Sequence, residues 1–219
     1  MRTVVIPAKE IKVYKFEELS DTAKEKVRIS FTEDEIYSVM FQEDIAECLK
    51  NDYPNSNLNV EYSLCYCQGD GLNIYGTLDR VDALEIFKNP KIKFKGLEIK
   101  PSEKEIKRMK FYLDYMEEIQ LQANQSRYSY SYKFRQIKDV EYEVEEIVCN
   151  LQCHYNLRQV DAKLISTCLE VIYRHFQELD RELENKGYNF LYEFSDGRIK
   201  EECDANDWEY TANGVLYCE

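Results

Sequence analysis

Glycine, proline, tryptophan and histidine are scarce in this chain, with 7, 4, 1 and 2 copies among 219 residues. The low glycine and proline content argues against a disordered or linker-rich chain. No segment approaches the roughly 20 apolar residues that a membrane-spanning helix needs. The first ten residues reach charged side chains too early for a secretory signal. We therefore expect a cytoplasmic protein whose eight cysteines are reduced.

Acidic residues outnumber basic residues by 42 to 29, which gives a formal net charge of −13. Proteins that bind free nucleic acid usually have the opposite balance, so direct nucleic-acid binding is disfavoured. An acidic surface favours basic partners, or the occupation of a site meant for phosphates. The alternative is an ordinary acidic cytosolic protein. Eighteen tyrosines suit both a core with wet edges and a contact surface.

Strand-like and helix-like segments mix along the chain without a regular βαβ period. This pattern predicts an α+β fold, with a mixed or antiparallel sheet packed against several helices. We expect a single compact domain over residues 1–219, with a boundary in 80–105 as the alternative, because the charge changes sign there. In that region the stretch from Lys88 to Lys110 has nine basic residues against three glutamates. It is interpreted as a solvated face, or as a surface for an acidic partner or the acidic tail of another copy.

Individual elements follow from capping residues, turn residues and periodicity. Ser20 is expected to cap a first helix, and Thr32 and Glu35 to form the capping box of a second. Ser102 and Glu105 are expected to cap a helix that carries apolar residues as far as Ile119. The predicted strands are Thr3–Tyr14, Val60–Leu64, Leu72–Leu78 and Ser126–Ile137. A long helix is predicted over Asp161–Asn185, ended by Gly187, and a hairpin at Asn213–Gly214.

A glycine-rich turn between two predicted strands is the first candidate site, formed by Gln68, Gly69, Asp70 and Gly71. Glycines let a backbone approach a ligand closely, and consecutive amides at such a turn can cradle an anion. Asp70 would then be a base or a ligand contact. The other interpretation is a plain hairpin turn, in which the aspartate bonds its own backbone. No Lys-Ser or Lys-Thr pair follows, so the turn is not a phosphate-binding P-loop.

An alternating strand is the second candidate site, with Tyr128, Tyr130 and Tyr132 on one face and Arg127 on the other. Aromatic side chains on a sheet face can stack bases, and arginine can hold phosphate. The other interpretation is that the tyrosines pack on a helix while the polar face is solvated.

Cysteine and histidine do not form a convincing metal or catalytic motif. Cys65, Cys67, Cys149 and Cys153 lack the usual spacing of zinc ligands, so we expect buried thiols, no metal and no cofactor. His175 is expected on the polar side of the long helix, and no motif pairs it with a nucleophile. No catalytic residues are therefore predicted.

Several segments together resemble one family of small proteins encoded by phages and prophages. Val13–Lys26 resembles the strand and "Phe-Asp-Glu-Leu-Ser…Ala-Lys-Glu-Lys" helix that open those proteins. Residues 66–71 are similar to the family's Ser/Cys-Gln-Gly-Asp-Gly signature. Residues 126–130 lie where members often carry an "Arg-Tyr-x-His" strand. Residues 172–179 and 205–214 are similar to its "Ile-Tyr-Arg-x-Leu-Glu" helix and its "Ala-Asn-Glu-Tyr-x-Phe-Thr-Glu-Asp-Gly" tail.

The resemblance implies a phage setting inside a bacterial cytoplasm. Tyr130 departs from the pattern, because members often have a histidine there, and this weakens a catalytic or metal role for the strand. Small acidic proteins in that setting are often inhibitors of host defence. We therefore expect a non-catalytic, acidic anti-defence protein, an anti-CRISPR or similar, that binds a host defence protein or nuclease complex. A homo-oligomer is left open.

Two alternative functions remain as hypotheses. One is a small-ligand or nucleotide-binding protein, a sponge or an unrecognised enzyme, using the Gln68–Gly71 turn and the Tyr128–Tyr132 strand. The weaker one is an antitoxin, the label that some members of the family carry.

Overall fold

The structure, a computed structural model, describes residues 10–66, 70–90, 93–94, 97–98, 100–116, 118–121, 149 and 158–217. Within these residues, helices and antiparallel strands alternate irregularly, which confirms the predicted α+β class. The helices are α1 (Asp21–Glu33), α2 (Glu35–Asp52), α3 (Arg80–Lys88), α4 (Glu103–Met116), α5 (Gln159–Tyr192) and α6 (Asp196–Ala205). The strands are β1 (Val13–Tyr14), β2 (Asn57–Ser63), β3 (Gly71–Asp79), β4 (Lys93–Phe94), β5 (Leu97–Glu98), β6 (Glu118–Leu121) and β7 (Tyr210–Thr211).

Contacts along the chain divide it into two compact units. Unit 1 comprises Met1–Val39 and Asn189–Glu219, and unit 2 comprises Met40–Tyr188. The single-domain expectation stays a prediction. Two helices, α2 and α5, run through the points of division.

Unit 1 is built around the first helix and the C-terminal segment. Ser20 caps α1 as predicted, since its hydroxyl accepts the Ala23 amide at 3.3 Å. The strand prediction was too long in its described part, because β1 begins only at Val13 and pairs with Thr211 of β7. The buried core of the unit is largely aromatic and aliphatic: Phe16, Leu19, Ala23, Val27, Phe31, Tyr37, Phe194, Ile199, Cys203 and Tyr210.

The predicted turn at Asn213–Gly214 is present. Gly214 has a φ of +76°, a left-handed conformation that favours glycine. Its amide donates to the Thr211 carbonyl at 2.9 Å, and an isolated bridge joins Tyr210 to Leu216. A Cβ atom at Gly214 would overlap the Ala23 carbonyl oxygen, so the turn also lies directly against α1.

Unit 2 contains a three-stranded antiparallel sheet in the order β2-β3-β6. The predicted hairpin is confirmed: Val60 pairs with Ile74, and Ser63 with Gly71. Strand β6 pairs with residues 76–79 of β3. Sequence periodicity had placed Ile119 at the end of a helix, but α4 ends at Met116 and Ile119 is a buried strand residue opposite Leu78.

The long helix α5 runs past the end that the sequence predicted. Gly187 lies inside it, so the predicted C-terminal glycine cap is wrong. A Cβ atom at Gly187 would overlap the Leu64 side chain and lie 2.8 Å from the Phe41 ring. The glycine is therefore needed for close packing within unit 2. The capping box between Ser102 and Glu105 at α4 is confirmed, with Ser102 N and Oγ both 2.7–2.8 Å from Glu105 Oε2.

Candidate functional site

The glycine-rich turn is described only in its second half. Gln68 and Gly69 lie outside the described residues, whereas Asp70 and Gly71 are described. The Asp70 carboxylate accepts two hydrogen bonds at Oδ2, from the Cys65 amide at 2.7 Å and from the Tyr188 hydroxyl at 2.6 Å. The first bond closes the hairpin on itself, and the second ties it to α5. These bonds are those of a structural turn residue.

Tyr66 and Glu184 lie beside the junction between the hairpin and α5, which is formed by Asp70 and Tyr188. The Tyr66 ring lies 4.6 Å from the Tyr188 ring, and Tyr66 has a φ of +54°. Burial, and then the charge of Asp70, raise the pKa of Glu184. Burial and the hydrogen bond to Asp70 raise the pKa of Tyr188. The hydroxyl therefore stays protonated and acts as the hydrogen-bond donor to the carboxylate. The junction thus holds the hairpin tip against the helix.

The second predicted site lies outside the described residues: Arg127, Tyr128, Tyr130 and Tyr132 are all there. Of the cysteines considered for zinc, Cys67 and Cys153 also lie outside the described residues. Cys65 and Cys149 are exposed, so the expectation of buried thiols is wrong for these two. Among the described residues, no group of three histidine, cysteine, aspartate or glutamate side chains is placed to hold a metal ion.

His175 is buried, contrary to the prediction that it would lie on the polar side of the long helix. Its Nε2 atom lies 2.6 Å from the Tyr53 hydroxyl, and the two rings meet edge to face at 6.0 Å. Burial raises the pKa of Tyr53. The pair joins the end of α2 to α5 inside unit 2. The thiol of Cys168 on the same helix is fully buried, and this burial raises its pKa, which disfavours the nucleophilic thiolate.

Two buried carboxylates accept hydrogen bonds from backbone amides and nearby polar side chains. Asp82 accepts from the Asn55 amide at 3.0 Å and from the Ser56 hydroxyl at 2.6 Å, which fixes the turn before β2 on α3. Asp180 on α5 accepts the Ile74 amide at 2.9 Å. Burial raises the pKa of Asp180 well above its ordinary value, against the opposing effect of that hydrogen bond. Both carboxylates are thus explained by the fold.

A groove of 710 Å³ is lined mainly by side chains of α4. The spacing of residues 104, 107, 108, 111 and 112 puts their side chains on one side of the helix. Arg158, just before α5, also lines the groove. Its main lining side chains are Lys104, Lys107, Arg108, Phe111, Tyr112 and Arg158.

Asp161 contacts side chains that line this groove and is only 1% exposed. Its Oδ2 accepts from Arg158 Nε at 3.1 Å. Arg108 Nη2 approaches Oδ1 at 2.5 Å as an ion pair without hydrogen-bond alignment, so Oδ1 has no hydrogen-bond donor among the described residues. Burial, and then a hydrogen bond with the Asp161 carboxylate, raise the pKa of Tyr112. One buried carboxylate therefore contacts three of the side chains that line the groove, those of Arg108, Tyr112 and Arg158.

The sequence indicates some of the residues that line this groove. The basic stretch from Lys88 to Lys110 and the Ser102 cap place the lysines at the start of a helix. Arg158 is 50 positions from Arg108 in the chain, and no local pattern marks it. The pairing of both arginines with Asp161 is visible only in the folded chain.

The α1 helix presents the second candidate surface. Residues Asp21, Glu25, Ile29 and Glu33 follow one another at every fourth position and are all exposed. We call these four residues the α1 acidic face. Arg28 pairs with Glu25 and Asp196 beside it, at 2.6 and 2.7 Å. The face therefore combines three carboxylates with one exposed apolar side chain.

Comparison with known proteins gives no relative: no protein-family model, no curated protein and no solved structure matches this chain. Within the described residues, none of the helices has the length and apolar character needed to cross a membrane.

Proposed function

We propose that this chain is a phage-encoded protein that acts in the bacterial cytoplasm and inhibits a host defence effector, such as a CRISPR nuclease, by binding it directly. The α1 acidic face is the observation that carries the proposal. It is an exposed row of three carboxylates and Ile29, in which Glu25 is paired with Arg28, on a helix whose opposite side is buried in the unit 1 core.

The charge of unit 1 supports a basic partner. Its described residues include fifteen aspartates and glutamates against seven lysines and arginines. A surface of this sign attracts a basic protein surface over distances of about 10 Å at moderate salt. Defence nucleases hold nucleic acid in basic channels, so an acidic helix face can compete for such a channel.

Ile29 gives the face an apolar centre. The residue is 47% exposed, between Glu25 and Glu33 on the same side of the helix. Binding energy in protein complexes comes mostly from a few desolvated contacts, while surrounding charges guide and orient the partner. Ile29 would supply the desolvated contact and the carboxylates the orientation.

The sequence resemblance gives the biological setting of the proposal. The segments at residues 13–26 and 66–71 resemble those of small phage and prophage proteins. In a host cell that carries defence systems, a non-catalytic inhibitor needs only a stable surface and a partner. The α1 acidic face is such a surface.

A phage-plating assay tests the proposal. The protein is expressed in bacteria that each carry one defined defence system, and plaque numbers are counted with and without it. We expect one system to be relieved, and we expect the purified protein to form a stoichiometric complex with the purified effector of that system. Relief of no system in the panel, or relief without a complex, would overturn the proposal.

A double variant locates the contact. Ile29→Lys with Glu33→Lys removes the apolar centre and reverses one charge, and we expect it to lose both plaque recovery and the complex. The control, Glu178→Lys with Glu182→Lys, reverses two exposed carboxylates four residues apart on α5. The control changes the net charge by four and the test variant by three. If both lose binding equally, net charge alone is responsible and the α1 acidic face is not the contact.

A further inference from the structure

The α4 groove concentrates positive charge in a chain that is acidic as a whole. Four of its lining side chains are cationic: Lys104, Lys107, Arg108 and Arg158. One lining side chain, Glu103, is anionic. Lys104 and Lys107 are exposed, and neither forms an ion pair with a residue that the structure describes. Their ammonium groups are therefore available to an anion in the groove.

The two arginines are held in place from below. Asp161 contacts Arg158 through Oδ2 and Arg108 through Oδ1. Each guanidinium has five N–H donors, so contact with one carboxylate leaves most of them for a ligand. The Arg158 side chain is 79% exposed despite its contact with the buried Asp161. A guanidinium anchored in this way is prepared for the two-pronged contact with phosphate that arginine favours.

The other end of the groove is aromatic. Phe111 is 55% exposed and lies seven residues beyond Lys104 on α4. This spacing corresponds to about 10 Å along the helix axis. The Phe111 and Tyr112 rings lie 5.5 Å apart and nearly perpendicular, at 77°. An exposed ring at this distance from the cations can stack with the planar part of a ligand whose charged part lies among the lysines.

We propose that the α4 groove is a nucleotide-binding site, with the phosphates between the two lysines and the two arginines and the base against Phe111. The groove volume of 710 Å³ lies within the range of small-molecule sites, roughly 300–1,000 Å³. The site is independent of the proposed function, because its residues belong to unit 2 and the α1 acidic face belongs to unit 1. It also differs from the turn and the tyrosine strand that the sequence suggested for a nucleotide.

Calorimetric titration of the full chain with three probes tests the site. The probes are ATP, inorganic triphosphate and adenosine, at low salt and with a chelator so that metal ions play no part. We expect ATP to bind one to one, triphosphate more weakly and adenosine most weakly. The ATP affinity is expected to fall as salt rises, because the contacts are ionic. Absence of ATP binding up to ~1 mM, the weak end of useful affinities, would overturn the proposal.

Variants of exposed residues separate the two ends of the groove without disturbing the core. Lys104→Ala with Lys107→Ala is expected to weaken ATP and triphosphate about tenfold or more, since charged hydrogen bonds are lost. Phe111→Ala is expected to weaken ATP but not triphosphate. Lys110→Ala is the matched control, because Lys110 is an exposed lysine on α4 that does not line the groove. Circular dichroism confirms that each variant is folded.

Four results contradict the nucleotide site. Binding of ATP that is unchanged in the double lysine variant places the ligand elsewhere. An equal loss in Lys110→Ala shows general attraction between charges rather than a site. Equal affinity for triphosphate and ATP, together with no effect of Phe111→Ala, shows that the groove does not recognise a base. Displacement of ATP by polyglutamate at a similar carboxylate concentration would identify an acidic polypeptide as the occupant.

Discussion

Gly187 shows how one missing side chain sets the distance between a helix and its neighbours. Alanine is the better helix former by about 1 kcal/mol, so Gly187→Ala would stabilise an isolated helix. In the folded chain the added methyl group would overlap Leu64 and crowd Phe41. Overpacking of this kind costs about 1–3 kcal/mol. We therefore expect Gly187→Ala to lower the free energy of unfolding in urea, despite the gain in helix propensity.

Gly197 in α6 gives the matched control. Its nearest contact for an added Cβ is Ser195 Oγ at 3.9 Å, which is ordinary van der Waals contact. Gly197→Ala should therefore be neutral or stabilising by up to about 1 kcal/mol. A Gly187→Ala protein that is as stable as Gly197→Ala would show that α5 has room to move away from the hairpin.

Asp180 leads to a prediction about pH. Burial, with a further effect from Glu184, raises the pKa of Asp180 above that of the unfolded chain, although its bond to the Ile74 amide acts in the other direction. The folded state therefore binds a proton that the unfolded state has released, and the contribution of this group to stability falls as pH rises. Asp180→Asn keeps an acceptor for the Ile74 amide and cannot ionise. We expect the stability of this variant, relative to the natural chain, to increase from pH 5 to pH 8.

Urea unfolding at several pH values measures this difference. Glu178→Gln on the same helix is the control, because Glu178 is exposed. Its difference from the natural chain should not change in the same way with pH. A pH-independent difference for Asp180→Asn would show that the carboxyl group has an ordinary pKa in the folded protein.

For single residues, the sequence predicts poorly any role that depends on a contact with a residue far away in the chain. The Ser20 cap was correct because its partner is three residues away. The sequence predicts a helix end at Gly187 because the residues that require a glycine there, Phe41 and Leu64, are more than 120 positions earlier. His175 was placed on the polar side for the same reason, since only the fold brings Tyr53 to it.

Among the elements, the break between α1 and α2 shows how a capping motif can be misassigned. The predicted box used Thr32, but the Thr32 hydroxyl donates to the Ile29 carbonyl at 2.8 Å inside α1. Asp34 instead accepts the Ile36 amide at 3.0 Å and begins α2. We expect Asp34→Ala to cost about 1 kcal/mol of unfolding free energy, as other lost caps do. Thr32→Ala should be nearly neutral in the same denaturation experiment, and a larger loss for Thr32→Ala would restore the original prediction.

The link from the hairpin to α5 gives the second prediction about elements. Tyr188→Phe keeps the ring beside Tyr66 but removes the hydroxyl that donates to Asp70. A hydrogen bond to a charged group contributes about 1.5–3 kcal/mol. We expect faster hydrogen exchange at the Cys65 amide, which bonds the same carboxylate. Tyr217→Phe is the control, because the Tyr217 hydroxyl has no hydrogen-bond partner among the residues described; unchanged exchange in Tyr188→Phe would show that the turn holds without the helix.

Local signals explain which elements the sequence could predict. The β2–β3 hairpin and the α4 capping box are both marked by residues close together in the chain. Strand β6 was missed because Ile119 continues the helical spacing of α4, and only pairing with Leu78 makes it a strand. For the same reason, only part of the α4 groove could be predicted from the sequence. Its lysines lie in one basic stretch, whereas Arg158 and Asp161 come from a distant part of the chain.

Across the whole molecule, charge is distributed unevenly. The described part of unit 1 is strongly acidic, whereas the α4 groove of unit 2 is lined mainly by cations. The net charge of −13 therefore describes neither region.

The division into two units leads to the last prediction. Trp208, the chain's single tryptophan, lies beside Phe31 in the unit 1 core at a ring distance of 5.9 Å. Its fluorescence therefore reports on unit 1, whereas far-UV circular dichroism reports on all helices. The helices α2 and α5 each continue across a point of division, so the unfolding of one unit alone would have to interrupt both helices. We expect the two signals to change together in urea, as in a single cooperative domain.

Gly187→Ala makes this test more stringent, because the substitution lies in unit 2 and the tryptophan in unit 1. In a cooperative chain the destabilisation of about 1–3 kcal/mol must move the Trp208 transition as far as the circular dichroism transition. If the fluorescence midpoint stays at its original urea concentration while the dichroism midpoint falls, the units unfold independently. The single-domain prediction is then wrong, and the boundary lies within α2 and α5 rather than in residues 80–105.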